Sequence, residues 1–328
     1  MDGPDQRRTD SEGFYSGTPT SERIRGATEQ LSAVLSGTTL WGLLYEMRPW
    51  QWYKQGILFV AIVFSGNLFD VTAWYYTILG VIAFSAVASS MYIFNDISDV
   101  EADRNHPEKK HRPIASGQVS IPVAIGFGTL LLVGALSLSY RLGLAFLLVI
   151  FVYIAQNVLY SLYLKEIVIL DIMIIAIGFV LRALAGVFAI DVEVSPWLIV
   201  CTFLAALLLA IGKRMAEIEA VAESAETRTV LEEYTSTELH YLMVVVVASL
   251  LMSYTLYTVL TEPTKMLTLP FAFFGVLWYH HQVVSDGGFE RPEYLLMEPV
   301  FVVTILLWVV SVVAIIYGMS GSAPGIYT

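Results

Sequence analysis

Asn95, Asp99 and Asp103 recur at i, i+4 and i+8 in the run Asn95-Asp96-Ile97-Ser98-Asp99-Val100-Glu101-Ala102-Asp103. On a continuing helix that spacing puts all three on one face. Asp96 stands three residues before Asp99, and Tyr92 lies one turn earlier on the same stripe. Carboxylates gathered this tightly repel one another unless a cation joins them. Oxygen ligands of this kind suit Mg2+, which takes one or two carboxylates and completes its shell with substrate phosphates and water. Asn95, Asp96, Asp99 and Asp103 are therefore the candidate metal ligands, against the plainer alternative of a solvated acidic loop.

A basic run follows at once: His106-Pro107-Glu108-Lys109-Lys110-His111-Arg112-Pro113-Ile114-Ala115-Ser116-Gly117. Acids that hold a metal beside bases that hold phosphate oxygens are the layout a diphosphate leaving group requires. Lys109 and Arg112 are the candidate phosphate contacts, while Lys110 reads as ordinary anchoring at the membrane edge. Four more cationic positions stand out: Lys54 after Arg48-Pro49-Trp50-Gln51-Trp52, Lys165 after Tyr160-Ser161-Leu162-Tyr163-Leu164, the pair Lys213-Arg214, and Arg182 inside an apolar run. Ionisable groups at membrane depth are costly and face a polar cavity or a partner. Arg182 has a second reading as a structural ion pair with Asp171 or Asp191.

These side chains need a scaffold, and the composition says which. The 328 residues are 56% hydrophobic and only 14% charged, with a mean hydropathy of +0.68, where soluble chains carry roughly 25% charged residues. That excludes a disordered protein, a disulfide-built secreted module and a nucleic-acid binder with a basic face. The single cysteine, Cys201, excludes an internal disulfide. Crossing about 30 Å of hydrocarbon takes roughly 20 apolar residues in a helix. Nine stretches qualify, near 52–69, 72–94, 119–139, 142–164, 167–190, 196–212, 239–260, 266–284 and 297–317. The fold class is all-α, a bundle of nine transmembrane helices (41–328) behind a polar tail over 1–40, with cytoplasmic loops capping a central cavity.

Of the 18 Lys and Arg, all but Arg141, Arg182 and Lys265 fall on one set of flanks, which places the N-terminus and the site in the cytoplasm of an integral cell-membrane protein. The long connections, about 95–118, 213–238 and 285–296, lie on that same side. The net charge of −11 adds an acidic fringe consistent with a salty cytoplasm. A transporter would also use buried charges, but here they crowd one membrane face and no hydropathy repeat accompanies them.

The motif Asn95–Asp103, with His106-Pro107 and Arg112-Pro113-Ile114-Ala115-Ser116-Gly117 after it, resembles the UbiA superfamily of intramembrane prenyltransferases. Most members bind a prenyl diphosphate through a second aspartate-rich motif after the sixth span, where this chain has Gly212-Lys213-Arg214-Met215-Ala216-Glu217. In that departure it resembles the branch of decaprenyl-phosphate phosphoribosyltransferases. Arg48-Pro49, Gln51-Trp52, Gly178-Phe179, Leu181-Arg182, Ala185-Gly186, Tyr234-Thr235-Ser236-Thr237 and Asp286-Gly287-Gly288 add to the likeness.

The resemblance implies a Mg2+-dependent transfer of 5-phosphoribosyl from phosphoribosyl diphosphate to a polyprenyl phosphate, with release of pyrophosphate. It implies catalytic roles for Asp99, Asp103 and Lys54, and substrate contacts at Lys54, Tyr92, Lys109, Arg112, Tyr160, Lys165, Arg182, Lys213 and Arg214. The alternative is a prenyltransferase that moves a polyprenyl group onto a glycerol-phosphate lipid or an aromatic acceptor. No nucleic-acid partner is expected, and a homo-oligomer is allowed but not required.

Overall fold

The computed structural model describes residues 37–222, 235–285, 295 and 297–318. Arg228, Arg291, Tyr234, Asp286-Gly287-Gly288 and residues 1–36 of the expected tail lie outside the described residues. Regular structure among the described residues is helical throughout.

Helix α1, Gly37–Glu46, begins inside the stretch expected as tail, and two residues after it the chain turns at Arg48, whose φ of 51° puts a non-glycine residue in the left-handed region just before Pro49. An eleven-residue 3₁₀ helix, Pro49–Phe59, then runs into the five-residue α2, Val60–Phe64. This pair takes the place of the first expected span. A 3₁₀ helix rises about 2.0 Å per residue against about 1.5 Å for an α-helix, so the pair together reaches roughly 30 Å.

Asp70 caps α3, Val71–Ser98, by accepting from the Thr72 amide at 2.8 Å. At 28 residues α3 outruns the hydrocarbon, and its end carries Asn95 into the site. Helix α4, Val100–Asn105, follows after one residue, Asp99. The bundle continues with α5 (Ile121–Leu142), α6 (Leu144–Leu162), α7 (Leu170–Ala189), α8 (Pro196–Ala222), α9 (Ser236–Thr261), α10 (Leu269–Ser285) and α11 (Pro299–Gly318).

Of the nine spans expected, seven are helices long and apolar enough to cross a membrane among the described residues. The two that differ are the first, with its 3₁₀ geometry, and the eighth, where α10 has only 17 residues because Pro263–Thr268 ahead of it is 3₁₀. The loop expected from residue 213 is helical as far as Ala222, so Lys213 and Arg214 sit on α8 itself.

Burial separates the helices. The apolar windows of α3 and α7 are 61% and 67% buried, against 17% for α5 and α11, so α3 and α7 form the axis and the others face lipid. Leu58, Phe84, Phe146, Ile150 and Leu181 pack the 3₁₀ helix, α3, α6 and α7 together. A second core joins α7 to α10 through Ile172, Ile211, Met243 and Val283. A third, with Leu43, Ile93, Ile114 and Val119, packs α1 and the loop after α4 on α3. Small residues permit the closest approaches. A Cβ at Gly186 would collide with the Leu58 carbonyl, and Ser90 donates to the Gly128 carbonyl at 2.8 Å.

Candidate active site

The site begins where α3 ends. The helix breaks at Asp99, yet the Asp99 amide donates to the Asn95 carbonyl at 2.9 Å and the Asp103 amide to the Asp99 carbonyl at 2.8 Å. These two bonds carry the helical register across the break. The expected single acidic face nevertheless divides in two. Asp96 and Asp103, two turns apart, are buried at 4% and 3% exposure. Asn95 is half-buried and Asp99 exposed, one turn apart.

The inward pair is neutralised by arginine. Arg48 Nη2 donates to both oxygens of Asp96 at 2.7 Å. Arg112 Nη1 donates to Asp96 at 2.9 Å and to Asp103 at 2.7 Å. Two guanidinium groups thus meet two buried carboxylates, a balance that a buried charge needs. The Arg48 guanidinium also lies 4.9 Å from the centre of the Tyr92 ring.

Glu46 adds a third buried acid, and it accepts from the Ile114 amide at 2.9 Å. Burial pushes its carboxyl up to about 8, and the neighbouring Asp96 adds to the rise. At neutral pH Glu46 therefore keeps its proton and donates to Asp96. The contact ties the end of α1 to the Arg112-Pro113-Ile114 loop.

Lys54 comes in on the 3₁₀ helix. That segment is fastened to α3 through Ser89, whose hydroxyl accepts from Trp52 Nε1 at 3.1 Å and donates to the Met47 carbonyl at 2.8 Å. Lys54 Nζ donates to Gln51 at 3.0 Å. Lys109 is half-buried in the short 3₁₀ turn Lys109–His111. Tyr92, Asn95–Asp103, Lys109 and Arg112 therefore sit on α3 and the chain that follows it, with Arg48 and the Lys54 segment bonded to the same helix.

A second group occupies the ends of α6, α7 and α8. Arg214 is buried and donates to Asp171 at 2.8 Å and to Glu217. Lys213, more exposed, lies 3.6 Å from Glu217. Tyr160 is half-buried near the end of α6, and Lys165 is exposed in the connection to α7. In that connection Ile169, a β-branched residue, takes a φ of 67°, a conformation that costs energy and has to be held by its surroundings.

Arg182 belongs to neither group. It is 6% exposed and donates to Gln55 at 2.9 Å, the Gly178 carbonyl at 2.8 Å and the Tyr153 hydroxyl at 2.9 Å, with the rings of Phe84, Tyr153 and Phe179 around it. The ion pair with Asp171 or Asp191 expected as its alternative does not form, because Asp171 is taken by Arg214.

Among the described residues no three His, Cys, Asp or Glu side chains form a ready metal cage. The side chains of Asn95 and Asp99 make no hydrogen bond or ion pair with other described residues. Two hard oxygen donors one helical turn apart fit Mg2+, which fills its remaining positions with phosphate and water. Two cavities, of about 530 and 570 Å3, border other residues, and the expected central cavity over Asn95–Asp103 is not one of them. Much of the loops expected to cap it, 223–234 and 286–294, lies outside the described residues.

Arg48 and Glu46 are the site residues that the motif reading missed. Arg48 was visible as an arginine before proline, but its partner is 48 residues away. Glu46 carried no local signal at all.

Helical architecture, membrane-length spans and a polar site at one end of the bundle define a membrane-integral helical protein. The UbiA prenyltransferase family model matches residues 35–297, and the chain belongs to that family. It is 33% identical over 294 residues to a decaprenyl-phosphate phosphoribosyltransferase of Mycolicibacterium smegmatis, covering 84% of this chain and 92% of the relative. A decaprenyl-phosphate phosphoribosyltransferase of Corynebacterium glutamicum is 32% identical over 291 residues, covering 85% and 87%. Among solved structures, a UbiA homologue from Archaeoglobus fulgidus bound to GPP and Mg2+ superposes with a TM-score of 0.66 at 19% identity, over 84% of this chain and 99% of that one. That likeness is one of fold.

Proposed function

We propose that the chain transfers a 5-phosphoribosyl group from phosphoribosyl diphosphate to a polyprenyl phosphate and releases pyrophosphate. The observation that carries this reading is the division of the acidic motif, in which Asn95 and Asp99 stand clear while Asp96 and Asp103 are held by Arg48 and Arg112. The sequence departure at Gly212-Lys213-Arg214 and the names of the curated relatives support it.

In this reading Asn95 and Asp99 would hold Mg2+ beside the donor's diphosphate, and Asp96 and Asp103 fix the arginines rather than the metal. Bound there, the ion would neutralise charge on the departing diphosphate. Lys54, Lys109 and Arg112 take the phosphate oxygens, Arg112 with its guanidinium already oriented by two carboxylates. Lys213 receives the phosphate of the lipid. An oxygen of that phosphate attacks the anomeric carbon as the carbon–oxygen bond to pyrophosphate breaks. A phosphate monoester is anionic near neutral pH, so no general base is needed.

The test is a substrate comparison. The purified chain, reconstituted with a polyprenyl phosphate and Mg2+, should move label from phosphoribosyl diphosphate into the organic phase and give no product from a prenyl diphosphate with a glycerol-phosphate lipid. The reverse pattern would establish the prenyltransferase alternative.

A further inference from the structure

The opposite end of the bundle carries an open pocket, with the exposed side chains of Asp70, Arg141 and Asp191 at its rim, that the proposed reaction does not use. Asp70, at the start of α3, lies roughly 36 Å along the helix from Asn95. Asp70, Arg141 and Asp191 line a cavity of about 530 Å3 together with Asn67, Thr72 and Tyr76. Three junctions close on it: the turn before α3, the Arg141–Leu144 corner between α5 and α6, and the end of α7. Asp191 holds a φ of 53° there, and Gly143 one of 120°.

A second space, of about 570 Å3, adjoins this one. It is largely apolar and open, bordered by Leu136, Ser137, Tyr140, Leu147 and Phe151 on α5 and α6, and Arg141 lines both. Trp74, Tyr75 and Tyr76 on the first two turns of α3, and Tyr140 at the end of α5, are exposed. Exposed Trp and Tyr collect at headgroup depth, so a polar cavity stands at headgroup level with an apolar groove running from it. That pairing matches a lipid, in which a polar head and a chain leave one attachment point.

The charges narrow the headgroup. Arg141 makes no ion pair among the described residues, and a guanidinium binds a phosphodiester through two oxygens. The carboxylates of Asp70 and Asp191 disfavour a purely anionic head and favour one that ends in a cation. A primary ammonium can donate to both carboxylates, which a quaternary ammonium cannot.

We infer that this end of the bundle binds a glycerophospholipid with a primary-ammonium headgroup, with its phosphate on Arg141, its ammonium on Asp70 and Asp191, and an acyl chain in the Leu136–Phe151 groove. The site is independent of the transfer reaction.

The full chain, delipidated in detergent, would be offered dioleoyl phosphatidylethanolamine, phosphatidylglycerol or phosphatidylcholine in equal amounts, and retained lipid counted by native mass spectrometry. Phosphatidylethanolamine should be retained at least fivefold over the other two. Arg141→Gln should remove that retention. Asp70→Asn with Asp191→Asn should abolish the preference among headgroups, since asparagine at position 70 still caps α3. Equal retention of the three lipids, a preference for phosphatidylglycerol, or full retention by Arg141→Gln would overturn the inference. The comparison on the unmodified chain decides the headgroup whether or not the variants fold.

Discussion

Asp96 and Asp99 are three residues apart and have different surroundings, which shows how far burial outweighs residue type. Asp96 is inside, held by two arginines; Asp99 is outside. Asp99→Ala should lower turnover by about two orders of magnitude or more, the scale of losing a positioned electrostatic group, with the thermal midpoint unchanged. Wild-type turnover would remove Asp99 from the site. Glu46 gives a prediction in pH. With its carboxyl raised from 4.5 to about 8, its contribution to stability is complete below about pH 4.5. From there the unfolded chain sheds a proton that the folded chain keeps, and the contribution is lost as pH rises through about 8. Glu46→Gln keeps a donor toward Asp96 and an acceptor for Ile114, so its melting temperature should fall less between pH 6 and 9 than that of the parent; an identical pH profile would contradict a protonated Glu46. The ion pair of Arg214 with Asp171 is almost fully buried. Arg214→Met should therefore cost about 3–5 kcal/mol, read as a fall in denaturation midpoint, and Asp171→Asn on that background should recover part of it. The acidic motif and the cations around it were legible in the residue types, because i, i+4 spacing is a local property. Which acids face inward was not, since that depends on Arg48, 48 residues from its partner.

At the scale of elements, hydropathy located the membrane-length helices well, because seven of them are uniform apolar runs. At the first span it missed the winding, for a physical reason. Pro49–Phe59 is apolar enough to count, but it is wound as a 3₁₀ helix and fastened sideways to α3 at Ser89 and to α7 at Arg182 and Gly186. Periodicity cannot see fastenings made by other parts of the chain. The same contacts explain Arg182, which ties Gln55, the neighbour of Lys54, to the middle of α7. Gly186→Leu would set a side chain against the Leu58 backbone and push the 3₁₀ helix off α7. Overpacking of this kind costs about 1–3 kcal/mol. The Michaelis constant for the donor should rise several-fold through displaced Lys54; a variant with unchanged donor kinetics and an unchanged melting curve would show that the contact does not set the position of that segment.

For the molecule as a whole, α3 and α7 form an axis whose two ends differ in chemistry. One end gathers guanidinium groups and carboxylates within a few turns of Asn95; the other gathers Asp70, Arg141 and Asp191 around an open pocket with a largely apolar groove beside it. Composition made the membrane class plain and the motif marked the first end. The second end escaped notice because its three charged residues are spread over more than a hundred positions and converge only through the antiparallel turns of the bundle. The central claim is that Asn95 and Asp99 receive the donor's diphosphate together with Mg2+. The direct measurement is a binding titration of phosphoribosyl diphosphate to the purified chain by calorimetry, with Mg2+ and with chelator, on the parent and on Asn95→Ala with Asp99→Asn. Binding in Mg2+ that weakens at least tenfold both on chelation and in the double variant is the expected result. Equal affinity in all of these conditions would contradict it.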